Sequence, residues 1–353
     1  MSSCFGNKLK ISIFGQSHGE AIGVVVDGFP AGFKIDGDAL AAFLARRAPG
    51  GTFSTPRNEA DAFRFISGVV DGVTCGAPIC AVIENTNTRS GDYASIKDCP
   101  RPAHADFTAR VKYGESADFA GGGHFSGRLT APLCIAGGLC LQYLQNRGIY
   151  VGAHISSVGN IEDRRFRDMP LSPDILLRDS FPVYDEEAKA NMQSLILEAK
   201  AEGDSVGGTV ECAVLGLPCG IGEPMFDGLE NNISKAVFGI PAIKGIEFGS
   251  GFDGTRLKGS ENNDGFKYEN GSIVTDGNNH GGILGGISSG MPLLFRVAIK
   301  PTPSIAKKQH TVNIKLGEDA TISIQGRHDP CIVLRAVPCV EAACAIAICD
   351  YII

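Results

Sequence analysis

The chain has 353 residues, 43% of them hydrophobic, and a formal net charge of −7. That length allows one or two domains with a sizeable core, and the acidic balance argues against a general nucleic-acid surface. The 46 glycines are nearly twice the usual share of about 7% and follow no period, which predicts loop-rich architecture rather than collagen or linker. Twelve cysteines without any C-x-x-C give no zinc spacing, so no metal site is expected. Cys134, Cys140, Cys344 and Cys349 fall inside apolar helical patterns and read as small core residues. The first eight residues are no signal peptide, and the apolar region 331–353 carries Arg335, Pro338, Glu341 and Asp350, so no membrane span is expected. Reduced thiols and a cytoplasmic location follow.

In chain order, Lys10 to Phe14 alternates as a strand that ends at Gly15-Gln16-Ser17-His18-Gly19. This is a literal G-x-S-x-G, the nucleophile elbow of serine hydrolases, which requires a helix directly after it. Ile22 to Gly28 reads instead as a second strand, so a turn presenting Ser17 and His18 at a sheet edge fits better. Asp38 to Arg47 predicts an amphipathic helix capped by Asp36 or Asp38. It delivers Arg46 and Arg47 to a Gly/Pro loop, with Arg57 following, a setting suited to gripping carboxylate or phosphate. Phe63 to Val70 and Ile79 to Glu84 predict strands, and Glu84 to Tyr93 a polar loop.

Arg101-Pro102-Ala103-His104-Ala105-Asp106 sets His104 close enough to Asp106 to influence its protonation, without making Asp106 its demonstrable partner. Gly121 to Gly123 then lead through Ser126 and Arg128 into an apolar helical pattern that carries an early Pro132 and stops near Gly148. A glycine loop feeding a helix start is a ready anion site, and equally a tight turn before a core helix. Strands are expected over Val151 to Val158, Thr209 to Leu215 and Leu294 to Ile299. Helices are expected over Glu186 to Ala201, Leu229 to Phe238 and Val340 to Ile352. Gly249 to Gly254 matches G-x-G-x-x-G, but the polar stretch Thr255 to Asn270 that follows is no helix, which rejects a dinucleotide site and predicts a mobile loop. Two halves, each with strands, a glycine loop and an apolar helix, hint at an internal duplication within one domain over 1–353.

Four runs in order are specific together: 14–19, 101–106, 121–131 with Ser126-Gly127-Arg128, and Gly326-Arg327-His328-Asp329-Pro330 with Arg335-Ala336-Val337-Pro338. With Asp27-Gly28-Phe29-Pro30, Gly203-Asp204-Ser205 and Gly281 to Gly290, the chain resembles chorismate synthase over essentially its whole length. The resemblance implies a lyase that removes phosphate and a C6 hydrogen from 5-enolpyruvylshikimate 3-phosphate by 1,4-anti elimination, the last step of the shikimate pathway. It implies reduced FMN without net redox, with NADPH acting only indirectly through an external flavin reductase. It also implies a homotetramer, and an α+β fold in which a helical layer lies between antiparallel sheets.

Residue by residue, the resemblance makes His18, His104 and Asp329 catalytic, with His18 on the flavin side and His104 on the phosphate side. Flavin contacts fall on His124, Phe125, Ser126, Ala242, Gly285, Lys300, Pro301, Thr302, Pro303, Ser304 and Arg327. Substrate contacts fall on Ser17, Arg47, Arg57, Arg101, Arg128 and Arg335. Where many members of the family carry Arg-Ser-Ser-Ala-Arg, this chain has His124-Phe125-Ser126-Gly127-Arg128, and Thr52-Phe53 replaces a second loop arginine.

Overall fold

The computed structural model describes residues 3–54, 61–85, 98–176, 179–324 and 328–353. Two five-stranded sheets, antiparallel at every pairing, make the frame of a mixed α+β protein. The first sheet runs in the order Cys4–Phe5, Lys10–Gly15, Ala21–Asp27, Ile79–Glu84, Phe63–Ser67. The second runs Ile243–Phe248, Leu293–Ile299, Gly208–Leu215, Tyr150–Val158, Ile161–Glu162.

The helices are α1 (Gly37–Arg47), α2 (Asp106–Tyr113), α3 (Thr130–Gln145), α4 (Glu186–Ala201), α5 (Leu229–Val237), the one-turn α6 (Gly259–Asn262) and α7 (Val333–Ile352). Asp36, one of the two caps the sequence offers, caps α1 by accepting from the Ala39 N–H at 2.9 Å, and Asp38 lies in the first turn. None of the helices among the described residues is long and apolar enough to cross a membrane. All twelve cysteines are free thiols.

Helix α3 packs against the first sheet, α7 against the second, and the two helices pack on each other. Small residues make that crossing possible. A Cβ added at Gly137 would lie 2.2 Å from the Cβ of Ala342, and one at Gly138 would lie 2.3 Å from Cδ1 of Leu40 on α1. Both glycines therefore serve close helix approach, at the cost of a weaker helix propensity.

Charged groups inside this core are paired. Glu341 of α7, 1% exposed, accepts two hydrogen bonds from Arg46 of α1 (2.6 and 3.0 Å) and one from the Ala153 N–H (2.9 Å). At the far end of α7, Asp350 accepts from three consecutive backbone N–H groups, Asn7, Lys8 and Leu9, at 2.7–2.9 Å. Behind the second sheet, His154 is fully buried between Asp163 and Glu211, 3.0 Å from each.

Two expectations are corrected. Helix α7 starts at Val333, not near Val340, and Pro338 sits inside it. The proline removes one backbone donor, but burial of Val333, Val337 and Val340 holds the first turns in line. The stretch 255–270 is likewise structured, with a 3₁₀ turn ending at Arg256, then α6 and a hairpin of Phe266–Glu269 with Ser272–Thr275. Its polar side chains bind backbone: Asp276 accepts from the Gly265 N–H at 2.6 Å, and Asp264 from the His280 N–H at 3.0 Å. Helix α3 begins at Thr130 with Pro132 in its first turn, and Ser126 caps the short turn before it through the Arg128 N–H at 3.2 Å.

Candidate active site

The glycine run 121–123 is the centre of the site. All three residues have left-handed φ, of 62°, 103° and 54°, which side chains rarely adopt. The His18 ring stacks so close to Gly121 that a Cβ there would fall 2.0 Å from its Cε1, while a Cβ on Gly122 would fall 3.4 Å from His104 Cε1 and Nε2. One loop thus gathers two histidines that are 86 residues apart in the chain. The turn before His18 is tied to the same loop, since the Ser17 N–H donates to Gly123 O at 3.1 Å and Ser17 Oγ to Ala120 O at 3.1 Å. A strand, Ala21–Asp27, follows Gly19, so the elbow geometry of a serine hydrolase is absent here.

A cavity of about 550 Å³ opens beside this loop. Arg101, His104 and Arg128 line it on one side, and Asp329 and Arg335 on another. His124, Phe125 and Ser126 contribute to the wall, as do Ala242, Lys300, Thr302, Pro303 and Ser304. Ser17, His18, Pro301 and Gly285 do not line it. Gly285 turns the short hairpin between Ile283–Leu284 and Ile287–Ser288. Arg57 and Arg327 lie outside the described residues.

The electrostatics follow from pairing. His104 Nδ1 lies 2.7 Å from Asp106 Oδ1 and 3.1 Å from Arg101 Nη2, contacts that orient the ring and leave Nε2 facing the glycine loop. Arg101 grips the same carboxylate through Nε and Nη2, both at 2.7 Å. Burial opposes ionisation of Asp106, but the hydrogen bonds from Arg101 and His104 hold its pKa well below the usual carboxylate range. Arg335 donates to Asp329 at 2.6 Å and to the Arg47 carbonyl at 2.9 Å.

Arg47 departs from the expected role. It is 1% exposed, does not line the cavity, and bonds to Asp61 and to Thr130 Oγ1. The last turn of α1 points it into the core, where only a carboxylate can offset its desolvation. Asp61 is that group, and it is shared with Arg128. Burial of Asp61 is outweighed by these two arginines, which lower its pKa.

Sequence reasoning missed Asp61, because no local pattern ties it to Arg128, 67 residues away. It also missed the wall formed by Phe238 to Pro241, which follows α5. Four arginines here share three carboxylates, and Lys300 adds a charge whose Nζ meets only the Ala103 carbonyl among the described residues. Burial, and then the neighbouring Lys244, lower the Lys300 pKa. The wall is therefore locally cationic in an acidic protein.

The profile of one family, described as chorismate synthase, matches residues 9–353. The chain belongs to the chorismate synthase family. Its function is chorismate synthesis, a lyase reaction. It is similar to the chorismate synthases of Lancefieldella parvula (47% identical, covering 99% of this chain and 96% of that one) and Korarchaeum cryptofilum (44%, with the same coverage). It is also similar to a solved structure titled as a crystal structure of chorismate synthase, with a TM-score of 0.74 and 27% identity over 98% of this chain and 92% of that one. The antiparallel sheets and central helices are thus those of the chorismate synthase fold.

Proposed function

We propose that the cavity binds 5-enolpyruvylshikimate 3-phosphate beside reduced FMN, and that His104, His18 and Asp329 manage the protons of a 1,4-anti elimination. The observation that carries this reading is His104 on the cavity wall with Arg101, Arg128 and Arg335, beside the glycine loop whose Gly121 packs against His18. These guanidiniums suit bidentate binding of the substrate's phosphate and carboxylates. His104, oriented by Asp106, offers Nε2 to a departing phosphate as a general acid. His18 attends the flavin side, and Asp329, held by Arg335, accepts a relayed proton.

The residues present fit a flavin mononucleotide. Thr302 Oγ1 is buried on the cavity wall with no hydrogen-bond partner among the described residues, and Ser304 and Lys300 stand near it in sequence. Ile240, Pro241, Ala242 and Ile332 give apolar wall suited to a flat ring. His124, Phe125, Ser126, Lys300, Thr302, Pro303 and Ser304 would hold the cofactor, with Pro301, Gly285 and Arg327 further candidates. When bound, reduced FMN supplies electron density that helps expel an allylic phosphate and remove a barely acidic hydrogen.

His124 already has both ring nitrogens occupied, 2.7 Å from Gly15 O and 2.7 Å from Ser3 Oγ, so it acts as a brace for the loop as well as a wall. The same reading makes the chain a cytoplasmic homotetramer that takes its reduced flavin from an external reductase. It also makes the fold one domain, a helical layer between two sheets, in which two halves each end in a long buried helix, α3 or α7.

Anaerobic protein is to be given dithionite-reduced FMN and the enolpyruvyl phosphate, following phosphate and chorismate. Equal amounts of both, with neither formed from oxidised FMN, support the proposal. Phosphate without chorismate would replace it with a phosphatase.

A further inference from the structure

Two thiols meet where α3 and α7 floor the cavity. The sulfurs of Cys134 and Cys339 are 3.9 Å apart, although the residues are 205 positions apart in the chain. Cys339 lines the cavity, and Cys134 lies fully buried behind it. The elimination described above uses neither. The hydrogen bond from Cys134 lowers the Cys339 thiol, burial opposes that, and Arg47, Thr130 and Arg335 add to the lowering, which prevails. Burial, followed by contact with Cys339, pushes Cys134 up. Access sets the order of reaction: Cys339, whose thiol donates to the Arg335 carbonyl at 3.2 Å, faces the cavity, and Cys134 lies behind it.

The same two helices carry a comparison pair. Cys140 and Cys349 are both fully buried and in contact, with Cys349 Sγ 3.6 Å from the Cys140 carbonyl, but neither lines the cavity. The two pairs share their helices and their burial, and differ in access.

We propose that Cys339 and Cys134 form a peroxide-reactive dithiol site that closes to a disulfide through the cavity. The Cys339 thiolate attacks hydrogen peroxide: an S–O bond forms, the O–O bond breaks, and hydroxide leaves and is protonated to water. Cys134 then attacks the resulting sulfenic acid. An S–S bond forms, the S–O bond breaks, and the Cys134 proton leaves with the second water. Two thiols are oxidised and one peroxide is reduced to two waters. The sulfurs must close from 3.9 Å to the disulfide length of about 2.05 Å, a movement of roughly 1 Å for each. The site stands on this geometry alone and does not depend on which substrate or cofactor fills the cavity.

The folded full-length protein is to be treated with hydrogen peroxide, cleared of excess peroxide, then denatured in the presence of the alkylating reagent, digested and mapped by mass spectrometry. The expected product joins the Cys134 and Cys339 peptides, is lighter than their sum by two hydrogens, and returns to two thiols with dithiothreitol. Cys140 and Cys349 stay alkylatable. In Cys134→Ser, Cys339 is expected to be trapped by dimedone as a sulfenic acid. Cys134 and Cys339 remaining thiols while the exposed Cys4, Cys75 and Cys219 oxidise would overturn the proposal. So would Cys140 and Cys349 joining at the same rate as the cavity pair.

Discussion

Gly121 stands against His18 with no room for a methyl group: a Cβ at Gly121 would fall 2.0 Å from His18 Cε1 and 2.1 Å from its Nδ1. The ring is thus placed by an absence of side chain, at a residue whose φ of 62° already favours glycine. Gly121→Ala is expected to turn the ring and shift it by an ångström or more. Misplacement on that scale costs about 10²-fold in kcat, whereas the backbone strain costs only about 1–2 kcal/mol of stability. Steady-state kinetics beside urea unfolding separate the two effects. Unchanged kcat with a folded variant would remove His18 from the chemistry.

Gly137→Ala makes the opposite split. The new methyl would meet Ala342 at 2.2 Å in the α3–α7 crossing, and Gly137 does not line the cavity. Overpacking of this kind costs about 1–3 kcal/mol. The midpoint of urea unfolding should fall, while the activity of the folded fraction changes less than in Gly121→Ala.

Asp106→Asn leaves Arg101, 5% exposed, without its bidentate partner. Breaking a buried pair from one side costs about 3–5 kcal/mol. His104 also loses the carboxylate that orients its ring. Both unfolding and the pH profile of kcat should therefore change, and a profile shape equal to that of wild type would show that Asp106 does not orient His104. The depressed pKa of Asp106 adds an acid effect. The stabilisation it gives is complete above the ordinary carboxylate pKa of 3.8 and is lost as pH falls through the lower folded value. The variant should be less pH-sensitive than wild type in that acidic window.

His154 predicts the reverse slope. Burial lowers its pKa, but hydrogen bonds to Asp163 and Glu211 outweigh burial and raise it above its ordinary 6.5. Its stabilising charge is fully present below pH 6.5 and is lost as pH rises from there through the folded value. Unfolding free energies measured upward from pH 6 should decline in wild type. In His154→Gln the decline should be weaker, from a lower starting stability.

The placement of Arg101, His104, Arg128 and Arg335 on the cavity wall was legible because each stands in a short run with glycine or proline, where backbone demands show in the sequence. Asp61 was not, since its partners Arg47 and Arg128 come from α1 and from the turn before α3, and their meeting is decided by packing. Arg47 looked like a substrate ligand because a helix end beside a Gly/Pro loop gives no sign of which way the last turn faces. Pro338 hid the first turns of α7, because local propensity counts the lost hydrogen bond and cannot count the apolar surface buried around it. The hairpin 266–275 was hidden by its polarity: its strands lie largely exposed and are held by Asp side chains rather than by a hydrophobic face.

Helix α7 has a consequence for how the chain is made. It supplies Arg335 and Cys339 to the cavity, Glu341 to Arg46 across 295 positions, and Asp350 to residues 7–9 across more than 340. A nascent chain emerging from the ribosome has none of these partners until that helix is synthesised. The first sheet and α3 must wait with apolar surface uncovered, and contacts of such long range close slowly. The cavity wall and the hydrophobic core therefore share one dependency: neither closes until this helix is in place.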